Sequence, residues 1–190
     1  MGHTGIARLC LVHRDYRTRT ELAEKVREAP ASIGRGGCHL KFVEGKEAMT
    51  EGFWLQNISS QPIVTWRGYA FENVCFNHIS QIKKALEISG ISTTQSAWTD
   101  VDKDDGGTQI DLIISRKDNV LNMCEMKFYS GLFQVDKKYD LLLRKRQSIL
   151  REKISPKYAI FNTLVTTYGI ENNEYRWSFD NVITMNDLFE

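Results

Sequence analysis

Apolar residues between positions 66 and 88 recur at the spacing of one helix face. The members of this stripe are Phe71, Val74, Cys75, Ile79, Ile82 and Leu86. The i, i+3, i+4 spacing predicts an amphipathic helix from about Trp66 or Gly68 to Ile88. Gly90 follows as a natural C-terminal stop. One face of this helix is therefore expected to pack on the core.

After Gly90 the pattern changes to short apolar runs separated by polar turns. The predicted strands cover residues 92–100, 109–116, 120–128, 158–167 and 175–184. A second helix is predicted over 136–153 and a terminal turn over 185–190. The order helix, strand, hairpin, helix, strand is typical of an α/β layered domain with a central mixed β-sheet flanked by helices.

Residues 1–37 differ from the rest of the chain because they are basic and rich in glycine, without a clear apolar period. We therefore predict two parts, an N-terminal arm over 1–37 and an α/β domain over 38–190. The arm is either poorly ordered or a basic segment that binds nucleic acid.

Composition narrows the class of protein only slightly. The formal net charge of +1 gives no overall electrostatic signature of nucleic-acid binding, so any positive surface must be local. The four cysteines are scattered and form no CxxC pair, as expected of a reduced, cytoplasmic protein. No apolar run approaches the roughly 20 residues that a membrane helix needs.

Charged residues interrupt two of the apolar strands. Asp111 lies within Ile-Asp-Leu-Ile-Ile, and Glu125 and Lys127 lie within Cys-Glu-Met-Lys. A carboxylate in a buried strand costs several kcal/mol unless it is paired, hydrogen-bonded or bound to a metal. These three residues are therefore the first candidates for a functional site.

Strand geometry predicts that the candidates meet. Glu125 and Lys127 are two residues apart and point to the same face of the sheet. If the hairpin is centred on Asp118, opposite residues have numbers that sum to 236, and Asp111 lies across from Glu125. Their Cβ atoms would then be about 5 Å apart, and a divalent cation such as Mg²⁺ would relieve the repulsion between the carboxylates.

Lys127 would then position water or stabilise the charge of a transition state. The alternative is a structural salt bridge between Lys127 and an acidic neighbour. Glu72, near the start of the first helix, is a fourth candidate at the edge of the apolar stripe. For Glu72, an ordinary solvated helix glutamate is an equally good interpretation.

At these positions the sequence resembles the PD-(D/E)XK nuclease superfamily. Asp111 matches the first acid of its motif, Glu125-Met126-Lys127 matches the tripeptide, and Glu72 matches the glutamate of the first core helix. The resemblance implies a restriction-endonuclease-like core and Mg²⁺ or Mn²⁺ as cofactor. It also implies that the backbone carbonyl of Met126 joins Asp111, Glu125 and Glu72 as a metal ligand.

From about Cys38 onward the chain looks like the C-terminal nuclease-like domain of bacterial AAA-type ATP-binding proteins. The segments that carry this likeness are 40–45, 66–72, 107–113, 124–127, 136–139 and 165–169. No G-x-x-x-x-G-K-[ST] motif occurs, so no phosphate-binding loop of an ATPase is present in the sequence. We therefore expect residues 1–37 to be a foreign or out-of-frame leader on a truncated gene.

The sequence thus predicts an Mg²⁺-dependent nuclease that hydrolyses phosphodiester bonds of DNA. Lys137 and Lys138 follow the site strand and are expected to contact phosphates, whereas a solvated face is favoured for the more distal Arg144, Arg146 and Arg151. The alternative is a catalytically silent module of the same fold that binds or regulates an AAA-type ATPase.

Overall fold

The computed structural model describes residues 59–100 and 108–190. The chain divides into two compact units at Ala70 and Phe71. Of the 14–70 unit, the described part is 59–70, which contains the beginning of helix α1 (Gln61–Asn77). The other unit includes Phe71–Glu190 and all the predicted site residues. The predicted boundary at 37 and 38 lies outside the described residues and stays a prediction.

The first predicted helix consists of two helices, α1 and α2 (Ile79–Ala85). The predicted helix begins later in the chain than α1 does. Pro62 lies in the first turn of α1, where a residue without a backbone N–H costs no helical hydrogen bond, so the helix can begin at Gln61. The break falls at His78, whose backbone N–H donates to Cys75 O at 3.0 Å, three residues back. The stripe nevertheless continues across the break, with Phe71, Cys75 and Ile82 all buried.

Five strands form one mixed sheet in the order β1-β2-β3-β4-β5. Their bounds are β1 (Thr93–Asp100), β2 (Thr108–Arg116), β3 (Val120–Lys127), β4 (Ala159–Thr166) and β5 (Asn181–Thr184). The first two pairings are antiparallel and the last two parallel. Helix α3 (Lys137–Lys153) makes the crossover that the parallel pair β3–β4 requires. The predicted α/β fold with a central mixed sheet flanked by helices is confirmed.

The last predicted strand is wrong in its first half. Residues Arg176–Ser178 form a short 3-10 helix, and only Asn181–Thr184 pairs with β4. The predicted terminal turn is present as a second 3-10 helix, Asn186–Leu188. Within the mispredicted part of the strand, Phe179 is buried whereas Trp177 is exposed.

The register of the β2–β3 hairpin agrees with the prediction. The recorded pairs run from Ser115–Leu121 to Leu112–Cys124, and each pair of numbers sums to 236. Asn119 closes the turn with a φ of 64°, a left-handed conformation that asparagine tolerates better than most residues. The turn therefore determines which strand residues face each other.

The two faces of the sheet carry separate hydrophobic clusters. Helix α3 covers one face, where Leu143 and Leu150 belong to the same cluster as Ile113 and Met123. The other face is covered by the end of α1 and by α2, with cluster members that include Phe71, Cys75, Ile82, Leu112 and Cys124. Within the described ranges, no helix is both long and apolar enough to cross a membrane.

Candidate active site

Three charged side chains meet near the beginning of β2 and the end of β3: Asp111, Glu125 and Lys127. Lys127 Nζ lies 3.2 Å from Glu125 Oε2 and 3.5 Å from Asp111 Oδ2. The convergence follows from the hairpin register, because continuing the recorded pairs by one step places Asp111 opposite Glu125. The geometry of the three side chains is thus as the sequence predicts, while their chemical roles stay predictions.

The Asp111 carboxylate is anchored to the neighbouring strand. Its Oδ2 accepts a hydrogen bond from the backbone N–H of Met126 at 3.2 Å, just beyond the last recorded β2–β3 pair, Leu112–Cys124. This bond orients the carboxylate between the two strands. The Met126 side chain is buried in the hydrophobic cluster on the other face of the sheet, with Phe71 and Leu112. The predicted role of its backbone carbonyl as a metal ligand stays a prediction.

Glu125 is completely buried, with 0% of its surface exposed. Its Oε1 accepts from Arg146 Nη1, and its Oε2 accepts from the Tyr139 hydroxyl at 2.9 Å and faces Lys127. A buried carboxylate is tolerated only when its charge is compensated and its oxygens are hydrogen-bonded. Both helix α3 and strand β3 supply that compensation.

Arg146 and Tyr139 are the functional neighbours that the sequence prediction missed. The expectation of a solvated face is wrong for Arg146, whose side chain is only 17% exposed. The missed signal is a stripe at helical spacing: Tyr139, Leu143, Arg146 and Leu150 lie on one face of α3. An arginine in an apolar stripe implies a buried anion, and Glu125 is that anion.

Glu72 is half-buried and electrostatically linked to the cluster. Its pKa is raised from 4.5 to about 7, first by burial and then by the negative charge of Asp111. Glu125 raises this pKa further, whereas Lys127 lowers it. The Glu72 side chain is thus partly buried and interacts with Asp111, Lys127 and Glu125, while its role at the site stays a prediction.

The charged groups of the cluster shift one another's pKa values. Burial raises the pKa of Asp111, as does Glu125, although Lys127 and the Met126 N–H oppose the shift. Burial alone would lower the pKa of Lys127, but Glu125 and Asp111 outweigh it and raise this pKa. Lys127 is therefore a charged ammonium at neutral pH, held between two acids.

Lys137 and Lys138 are exposed in the first turn of α3, directly after the helix cap Asp136. Among the described contacts none joins either lysine to the cluster, so their predicted role at phosphates stays a prediction. Cys75 and Cys124 are buried free thiols, and burial raises the pKa of Cys75 to about 12. They are packing residues of the opposite face, as the sequence indicates.

The donor chemistry of the cluster fits a hard divalent cation. Three carboxyl groups lie close enough to interact, since Asp111 and Glu125 both raise the pKa of Glu72 while Lys127 lowers it. Burial is the largest cause of this raised pKa, and a divalent cation would offset the added repulsion between the acids. As placed in the described residues, however, no three acid, histidine or cysteine side chains surround a single metal position.

Comparison with known proteins adds little to this geometry. No family model matches the chain, and no curated protein matches it. The crystal structure of a protein of unknown function, AF1548, is similar at 14% identity with a TM-score of 0.41. The match covers 60% of this chain and 64% of that chain, so this chain spans just under two thirds of that protein's length.

Proposed function

We propose that the chain is a metal-dependent nuclease of the PD-(D/E)XK type that hydrolyses phosphodiester bonds of DNA. The observation that supports this proposal best is the meeting of Asp111, Glu125 and Lys127 at one point of the hairpin. Metal-assisted hydrolysis of a phosphodiester uses a bound cation, a positioned water and a positive charge near the scissile phosphate. The cluster offers residues suited to each of these tasks.

Asp111 and Glu125 would hold an Mg²⁺ or Mn²⁺ ion, with Glu72 and the Met126 carbonyl completing its ligands. When bound, such an ion polarises a phosphoryl oxygen and lowers the pKa of water. Glu125 would offer the ion oxygens that also accept from Arg146 and Tyr139, and the nearby cations Lys127 and Arg146 would neutralise phosphate charge.

Lys127 and Glu72 have distinct tasks in this proposal. Lys127 carries its positive charge within 3.5 Å of both strand acids, which suits it to stabilise the anionic transition state. Glu72, half-buried and within electrostatic reach of Asp111 and Glu125, would complete the ligands of the ion or orient the attacking water. Lys137 and Lys138 would contact phosphates further along the DNA.

A second candidate function is a silent module of the same fold that binds a partner such as an AAA-type ATPase. The observation that favours it is the saturation of Glu125, which Arg146, Tyr139 and Lys127 all contact. Fully paired buried charges also occur as purely structural networks. In that case the acids would bind no cation and the cytoplasmic protein would act through its surface.

Cleavage of supercoiled plasmid with Mg²⁺ or Mn²⁺ tests the proposal. The native protein is expected to cleave, while Asp111→Ala and Lys127→Ala are expected to lose cleavage. Asp118→Asn is a matched control, because Asp118 is an acid of the same hairpin that pairs with Arg116 at the distal turn. Equal cleavage by all four proteins would indicate a contaminating nuclease and contradict the proposal.

A further inference from the structure

Two exposed tyrosines follow the strands that lead into the candidate site. Tyr129 lies two residues beyond Lys127, the last residue of β3, and Tyr168 lies two residues beyond Thr166, the last residue of β4. Lys127 and Thr166 are partners in the parallel register, so the segments that carry Tyr129 and Tyr168 leave the ends of neighbouring strands. A hydrogen bond of 3.0 Å from Tyr129 N–H to Thr167 Oγ1 keeps the two segments together.

A series of ring contacts connects Tyr129 to the buried acid. The Tyr129 ring meets Phe133 edge-on at 5.7 Å between centroids, and Phe133 meets Tyr139 in the same way at 5.4 Å. The Tyr139 hydroxyl in turn donates to Glu125. Tyr129 therefore lies on the face of the sheet that carries Glu125 and Lys127, and its ring is held by packing.

Three large side chains are exposed in these segments. Tyr129 is 43% exposed and Tyr168 is 62% exposed, and Leu132 between them in sequence is 53% exposed. Leu132 Cδ2 approaches Gly169, the neighbour of Tyr168, so these residues belong to adjacent segments. Rings fixed at strand ends lose little conformational freedom on binding, which suits them to contact a flat ligand.

We propose that Tyr129 and Tyr168 stack the unpaired bases of single-stranded DNA, an inference that rests on the nuclease function proposed above. Stacking on aromatic rings is tolerant of sequence and needs bases that are not already stacked in a duplex. Two residues of strand span about 6.6 Å, so a base on Tyr129 brings its phosphate towards the Lys127 ammonium. The substrate is then single-stranded or frayed DNA.

Fluorescence anisotropy in EDTA tests this inference without cleavage, using labelled oligothymidylate and a blunt duplex of equal length. Tyr129→Ala and Tyr168→Ala are each expected to weaken binding of the single strand about tenfold and binding of the duplex less than about twofold. Tyr129→Phe and Tyr168→Phe retain the ring and are expected to bind as the native protein does. Phe161→Ala is a matched control, because Phe161 is 40% exposed at the opposite end of β4.

The outcomes separate this inference from the nuclease proposal. Unchanged single-strand affinity in both alanine variants would overturn the stacking inference, even if cleavage still required Asp111. An equal loss for single strand and duplex would overturn it as well. Tyrosine-dependent binding of the single strand without metal-dependent cleavage would support the stacking surface and contradict the nuclease. Thermal unfolding of each variant verifies that the fold is retained.

Discussion

Two carboxylates, Glu125 against helix α3 and Asp140 within it, lie in very different surroundings. Glu125 belongs to an interior cluster with Asp111, Glu72, Lys127 and Arg146. Asp140, one residue after Tyr139, belongs to a surface triad in which its carboxylate accepts from Arg144 Nε at 2.8 Å and from Ser178 Oγ at 2.7 Å. Neighbouring residues bury both carboxylates, but several carboxyl groups lie close together in the cluster around Glu125.

The two surroundings shift the pKa values of their carboxyl groups in opposite directions. Hydrogen bonds from Arg144 and Ser178 lower the pKa of Asp140, as expected of a structural ion pair at the surface. In the interior cluster, burial and neighbouring acids raise the pKa values of Glu72 and Asp111 although cations lie close by. Like charges kept together at a cost to folding are typical of functional sites, whereas a lowered pKa indicates an optimised structural contact.

The largest expected difference between the cluster around Glu125 and the triad around Asp140 is in DNA cleavage. Asp111→Asn is expected to reduce metal-dependent DNA cleavage about a thousandfold, because an amide cannot compensate the charge of a cation. Asp140→Asn is expected to change cleavage less than about threefold, because Asp140 only links α3 to Ser178. Initial rates with Mg²⁺ at saturating DNA measure both. A comparable loss in the two variants would mean that the interior cluster has no special chemical role.

Two arginines of α3 give the next contrast, in stability. Arg146→Ala leaves buried Glu125 without its main cation and is expected to lower the free energy of unfolding by about 3–5 kcal/mol. Arg144→Ala removes a side chain that is 72% exposed and is expected to have a much smaller effect, because solvent screens its pairing with Asp140. Urea unfolding of both variants tests this, and equal costs would refute the buried pairing.

Glu72 should make stability depend on pH. Its folded pKa of about 7 exceeds the unfolded value of 4.5, so the folded protein holds a proton that the unfolded chain has already lost. Stability therefore falls as pH rises from 4.5 to about 7 and then levels off. Glu72→Gln is expected to be about 1–2 kcal/mol more stable than the native protein at pH 8, a value reduced for partial solvent exposure, and no more stable below pH 4.5.

Thermal midpoints in EDTA at pH 4 and pH 8 measure this effect without any metal. Glu152→Gln serves as the control, because Glu152 is an exposed acid of α3, remote in sequence from the cluster. The groups that act on Glu72 are Asp111, Lys127 and Glu125, so Lys127→Met should increase the pH dependence. A Glu72→Gln variant with a midpoint equal to the native one at pH 8 would show that Glu72 is solvated.

The smallest expected effect concerns the surface triad. Ser178→Ala removes one hydrogen bond to Asp140 and is expected to cost about 1 kcal/mol at pH 7. Because the pKa of Asp140 is lowered on folding, its stabilisation is present above the unfolded pKa of 3.8 and is lost as pH falls below it. The cost of Ser178→Ala should shrink accordingly in acid, as urea unfolding at pH 7 and pH 3 would reveal.

The contacts that the sequence predicts well are local ones. The turn around Asp118 and the alternation of two strands suffice to bring Asp111 near Glu125, because strand pairing through a tight turn leaves a single register. The same reasoning failed at His78, where the apolar stripe continues while the helix breaks. It failed again at Arg176–Ser178, inside the predicted last strand, where the backbone forms a 3-10 helix.

The order of α and β elements, the hairpin register and the meeting of two acids with Lys127 could all be predicted from the sequence. The tertiary structure adds that Arg146 and Tyr139 contact Glu125 and that the segments of Tyr129 and Tyr168 leave neighbouring strands. Those contacts depend on how α3 packs across the sheet and on the parallel pairing of β3 with β4. Side-chain periodicity defines a face of an element, whereas the partner of that face is chosen by long-range packing.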